Sequence, residues 1–229
     1  MQVLDHGYLE LVEVWGSDER IVEAARMSTG KGFKGWGTPE APGDEKLLRY
    51  LWEHQHTSPF EMAGATFETQ APLIVFREWH RHRTQSYNEM SGRYTVLPDL
   101  YYMPSVDRLM KAKQDVKNKQ GSTEGFTEEQ AREIQAGFNM SYSSSRHLYQ
   151  QMLDAGVAKE VARLVLPVSQ YSRMRASANL LNWIKFLRLR LPVNAQYEIR
   201  QYAKIILNIL FDRFPYTMKL FMEEKVWTN

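Results

Sequence analysis

Residues 81–93 read Arg81-His82-Arg83-Thr84-Gln85-Ser86-Tyr87-Asn88-Glu89-Met90-Ser91-Gly92-Arg93. Three arginines, one histidine, two serines, one asparagine and one glutamate stand there with little apolar material between them. A solvated face is more often written in Lys and Glu, which need no fixed geometry, whereas an arginine fork matches phosphate or carboxylate oxygens two at a time. The serines, the asparagine and the lone glutamate add directional contacts to something other than a phosphate. The stretch reads as a pocket wall for a ligand with an anionic end and a hydrogen-bonding end. A helix should lead into it, because Leu73, Ile74, Phe76 and Trp79 recur at helical spacing between Ala71 and His82.

Upstream, residues 8–15 place apolar and acidic side chains in near alternation, which suits a strand. Ser17 or Asp18 can cap a helix over Ile21, Ala24, Ala25 and Met27, residues 29–43 form a Gly/Pro loop, and Asp44 opens a second helix with Leu47, Leu48, Leu51 and Trp52 inward. Ser58-Pro59-Phe60-Glu61 has the form of a capping box with proline at the first helical position, and 62–69 reads as another strand. Downstream, prolines, lysines and Gly121-Ser122-Thr123-Glu124-Gly125 mark 98–126 as a surface excursion. Thr127 starts a long helix that should stop near Gly156. Helical patterns return at 158–166, 179–191, 194–213 and 215–225, with a strand at 168–178; no repeat appears, and one domain over 1–229 is expected.

Composition narrows the function. At 229 residues with 43% apolar and 24% charged side chains the chain has ordinary globular values, and a net charge of +2 argues against a dedicated nucleic-acid binder. No basic-then-apolar leader or membrane-length apolar run is present, so the expected location is cytoplasmic, with no membrane partner. The chain has no cysteine, which removes disulfides, thiolate metal sites and cysteine nucleophiles.

Three further patterns have bland readings. Gly30-Lys31-Gly32-Phe33-Lys34-Gly35 matches GxGxxG literally, but a helix precedes it and a Pro/Gly loop follows, the reverse of what a dinucleotide needs. His54 with His56, and His80 with His82, lack a third ligand, and no metal is expected. Arg188 and Arg190 alternate with Leu187, Leu189 and Leu191, so at least one points into packed structure and needs a partner: a bound nucleotide or a carboxylate such as Glu198.

Arg81-His82-Arg83 followed after seven residues by Ser91 resembles the signature of the flavin-dependent thymidylate synthases. The resemblance extends to Ala24-Ala25-Arg26-Met27-Ser28, His56-Thr57-Ser58-Pro59-Phe60-Glu61, Glu160-Val161-Ala162-Arg163, Phe186 to Arg190, and Ala195-Gln196-Tyr197-Glu198-Ile199. It implies an α+β fold of helices packed with an antiparallel sheet, a homotetramer with shared active sites, and a methyltransferase that makes dTMP from dUMP. Methylenetetrahydrofolate would supply the carbon and FAD, reduced by NADPH, the hydride. Carried over by position, Ser58, Arg81, His82, Arg83, Glu89, Asn179 and Lys185 would contact FAD. Glu78, Arg81, Glu89, Ser91, Gly92, Arg93, Arg163 and Arg190 would contact dUMP, with Arg190 as the catalytic residue and His56 on the folate side.

Three departures stand out. Glu78 replaces a frequent glutamine, Leu181 and Lys185 occupy positions where other polar residues are common, and Asn194 replaces a frequent histidine. Loss of chemistry through the Leu181 and Asn194 departures would leave a nucleotide- or single-strand-binding module, and loss of carbon transfer alone would leave a flavin reductase. Ser91, Arg93, Arg163 and Arg190 favour the complete enzyme, since a bare flavin site does not need them.

Overall fold

In the computed structural model, which describes residues 1–224, the alternating segment near the N-terminus forms a strand: β1 (Gln2–Val3) pairs antiparallel with β2 (Gly7–Trp15). Ser17 Oγ accepts from the Arg20 amide at 3.3 Å and starts α1 (Asp18–Arg26), which buries Ile21 and Val22. Next come α2 (Gly43–Glu53), β3 (Gly64–Pro72), α3 (Leu73–Trp79) and β4 (Ser86–Glu89). The excursion holds α4 (Val106–Met110) and a small hairpin of β5 (Lys113–Gln114) and β6 (Ser122–Thr123). The rest is α5 (Glu128–Asp154), α6 (Lys159–Ala162), β7 (Tyr171–Asn179), α7 (Leu180–Arg190), α8 (Tyr197–Arg213) and α9 (Pro215–Glu223). The larger sheet has the order β1-β2-β3-β7-β4, and the class is α+β.

The described residues form two compact units: Met1–Leu9, Thr69–Arg81 and Asn88–Met174 make the first, and Glu10–Glu68, His82–Tyr87 and residues 175–224 make the second. In the first, Thr127 and Gln130 exchange hydrogen bonds as a capping box at the start of α5, and Tyr142 Oη donates to the Tyr102 carbonyl at 2.9 Å. In the second, α7 buries Leu180, Trp183, Ile184, Phe186 and Leu187 and packs on α8, while Trp183 Nε1 donates to the Ala65 carbonyl at 2.9 Å. Phe214 precedes α9 and cannot cap it, so the buried Asp18 carboxylate does, accepting from the Tyr216 amide at 2.8 Å and the Thr217 amide at 3.1 Å.

Three local expectations change. Residues 58–61 form a short 3₁₀ turn with no side-chain cap, because the chain must turn into β3 by Gly64. The helix expected over 71–82 is confined to Leu73–Trp79: Ala71 and Pro72 complete β3, and the Leu73 and Ile74 amides donate to the Gln170 and Val168 carbonyls at 2.9 Å. The polar β4 was not anticipated at all. Elsewhere, Gly30 adopts left-handed φ 62° and residues 31–42 form a loop, as the reversed GxGxxG context requires. The helix expected at 215–225 ends at Glu223, and Lys225 lies outside the described residues.

Candidate active site

The second half of the signature builds a tight turn. The Met90 amide donates to the Arg173 carbonyl at 2.8 Å, and the Ser91 carbonyl accepts from the Tyr94 and Thr95 amides at 3.1 Å. Ser91 Oγ accepts from the Arg93 amide at 3.2 Å. Gly92 is buried at the centre: a Cβ there would lie 3.1 Å from Arg163 Cδ and 3.3 Å from the Leu97 side chain. The missing side chain lets Arg163 lie across the turn. Arg93 Nε pairs with Glu160 at 2.9 Å on the surface, and Lys159 Nζ donates to the Tyr94 carbonyl at 3.1 Å.

Glu89, at the end of β4, is half-buried. Burial pushes its carboxyl above the usual range, opposed by Ser172 and by the nearby His80, Arg163 and Arg77. The Ser172 hydroxyl is buried beside this carboxyl. Glu78 is half-buried and Arg81 exposed in the same unit, which suits Arg81 to an anion.

In the second unit His82 and Arg190 meet. Arg190 Nε donates to His82 Nε2 at 2.9 Å, and the His82 ring lies on Phe186 with centroids 4.7 Å apart. Burial and the neighbouring guanidinium push the imidazole pKa down to about 4. Arg188 turns elsewhere, forming a two-point pair with Glu224 at 2.6 and 3.0 Å and lying over Trp52.

Asn179 caps α7, its Oδ1 accepting from the Asn182 amide at 2.9 Å while its Nδ2 donates to Glu61 at 3.4 Å. Leu181 is buried in the α7 core. Ser58, Arg83 and Lys185 are exposed, and the two cations can neutralise a diphosphate. His56 is also exposed, with Tyr50 edge-on at 5.8 Å. These donors fit a phosphate-bearing flavin. Sequence reading missed Ser172, Phe186 and Glu160 as neighbours of the site residues; Glu160 and Phe186, which open the blocks that end at Arg163 and Arg190, carried a signal, and Ser172 carried none. Among the described residues no group of three or more His, Asp or Glu gathers as for a metal, and no helix is long and apolar enough to cross a membrane.

Residues 10–216 match the family described as thymidylate synthase complementing protein. The flavin-dependent thymidylate synthase of one Thermus thermophilus strain is 42% identical over 96% of this chain and 77% of its own length. That of Thermosipho africanus is 40% identical over 97% and 93%. Among solved structures, the UMP/dUMP methylase PolB of Streptomyces cacaoi bound with 5-Br dUMP superposes with a TM-score of 0.86 at 30% identity, covering 97% of each chain. The same enzyme with 5-Br UMP gives 0.84 at 32% identity over 97% and 96%.

Proposed function

Because the chain belongs to the flavin-dependent thymidylate synthase family, whose antiparallel α+β fold it shares, we propose that it converts dUMP to dTMP. Methylenetetrahydrofolate supplies the carbon and leaves as tetrahydrofolate, while NADPH is oxidised to NADP⁺ through FAD. The observation that carries this reading is Arg163 lying across the Ser91-Gly92-Arg93 turn, a cationic turn for which a bare flavin site has no use. Arg81, Ser91, Gly92, Arg93 and Arg163 hold the nucleotide, with Glu78 and Glu89 at its polar edge. The Arg190 guanidinium, aimed at the N3/O2 edge of the uracil, stabilises negative charge there and favours electron flow through C5.

Ser58, Arg81, Arg83, Glu89, Asn179 and Lys185 are assigned to FAD, and His56 to the folate side; His82, which the family resemblance also gives to FAD, is buried against Arg190. When bound, the flavin supplies the hydride; the protein orients and polarises. Ser91 is a binding group: its oxygen accepts from a backbone amide, and an unactivated hydroxyl is a weak nucleophile. The working form is a cytoplasmic homotetramer of single-domain subunits.

A second substrate has specific support, since the Streptomyces cacaoi structures carry both 5-Br UMP and 5-Br dUMP. The test is the flavin spectrum of the purified protein under anaerobic NADPH, alone and with dUMP or UMP, followed by product analysis after adding methylenetetrahydrofolate. Bleaching that depends on dUMP, with dTMP as product, supports the proposal. Methylation of UMP alone reassigns the substrate. Bleaching indifferent to either nucleotide means a reductase, and no flavin after adding FAD means a binding module.

A further inference from the structure

The family resemblance gives His82 to the flavin, but its surroundings give its Nε2 a different task. Resting on the role proposed for Arg190, we infer that His82 is a positioning residue: its uncharged ring accepts the Nε–H of Arg190 and fixes the plane of the guanidinium that meets the nucleotide. A guanidinium has donors and no acceptor, so a 2.9 Å contact from Arg190 Nε requires a lone pair on His82 Nε2 and places the ring hydrogen on Nδ1.

The ring is well held. His82 is only 8% exposed, and Phe186, one helical turn before Arg190 on α7, packs against it with the two rings tilted by 57°. Its carbonyl accepts from Tyr87 Oη at 2.7 Å and from the Gln85 amide at 3.2 Å, so the backbone is fixed as well. Burial pushes the Tyr87 phenol up to about 12, and it remains a donor across the working pH range. A planar fork tied at Nε loses rotation about its last side-chain bonds, which sets where both terminal nitrogens point.

The experiment uses FAD-loaded protein, with dUMP affinity by calorimetry and flavin occupancy by absorbance, for wild type, His82→Phe, His82→Gln, Arg190→Ala and the double variant His82→Phe/Arg190→Ala. His82→Phe should weaken dUMP binding roughly tenfold, the scale of one hydrogen bond to a charged group, with flavin occupancy unchanged. His82→Gln, which restores an acceptor, should recover most of that affinity. In the Arg190→Ala background His82→Phe should cost nothing further.

An undiminished His82→Phe effect without Arg190, or flavin loss as its main consequence, overturns the inference and returns His82 to the cofactor. If Arg190→Ala weakens dUMP binding but His82→Phe does not, only the positioning role falls. If Arg190→Ala binds dUMP as wild type does, the Arg190 assignment itself fails, and positioning with it. Should His82→Phe not fold, histidine-labelled wild-type protein still decides: its ¹⁵N spectrum must show the Nδ1–H tautomer, shifted in Arg190→Ala, and the other tautomer overturns the inference.

Discussion

Acidification should strip stability from this protein through one imidazole. His82 has its folded-state pKa lowered to about 4 from 6.5, by burial first and by Arg190 second. The unfolded chain therefore binds the proton more tightly, and stability falls as pH drops through the window between those values. From the two pKa values, the loss relative to neutral pH is about 2 kcal/mol at pH 5 and about 3 kcal/mol at pH 4. Glu89 and Asp18, both raised by burial, titrate with the opposite sign, and the lowered carboxyls of Glu19, Glu40, Asp44 and Glu223 with the same sign, so the raw profile of the wild type mixes them all.

The difference between wild type and His82→Gln removes the common terms. Urea midpoints by tryptophan fluorescence, at one protein concentration between pH 7 and pH 4, give that difference directly. The wild type should lose its advantage over the variant progressively below pH 6.5. A difference that stays flat to within about 0.5 kcal/mol would show that the His82 imidazole is not buried beside a cation, and the geometry of the pair would be wrong.

Asp18→Ala leaves the Tyr216 amide and both donors of Thr217 without their acceptor and should cost about 3 kcal/mol, or roughly 6–12 °C in a thermal melt, with Asp18→Asn recovering part. Gly92→Ala brings a methyl group to 3.1 Å from Arg163 Cδ and should raise the KM for dUMP roughly tenfold while flavin occupancy and fold persist. Arg190→Ala should abolish dTMP formation with the flavin still bound, and unchanged turnover would refute its activating role. Ser91→Ala should keep part of its turnover, whereas complete loss with intact dUMP binding would revive the nucleophile.

What the sequence made legible is what neighbours along the chain decide. Thr127 and Gln130 lie three apart, so the cap of α5 could be read directly, and Ser17 likewise announced α1. The strand at 171–179 showed through because Tyr171, Met174, Ala176 and Ala178 sit among polar residues. The strand at 86–89 did not, because it is polar throughout, and the acceptor for the amide that follows it is the Arg173 carbonyl. The same limit hid the site. The family match put Arg163, Gly92, His82 and Arg190 on the page, but nothing in the sequence placed Arg163 across Gly92 or tied Arg190 to His82, 108 residues away.

That pairing explains the spelling of the Arg-His-Arg triplet. Arg81 and Arg83 are exposed and His82 between them is buried, so the turn that carries the triplet holds two cations outward and one ring inward. An arginine or lysine at 82 would bury a second positive charge against Arg190, at a cost burial does not repay. An aliphatic residue would leave the Arg190 Nε–H without its acceptor. Glutamine could accept the bond but would lose the tilted ring contact with Phe186. Histidine is flat, neutral at the working pH when buried, and still able to accept. The middle letter of the signature thus meets a guanidinium far along the chain, while the outer two face solvent.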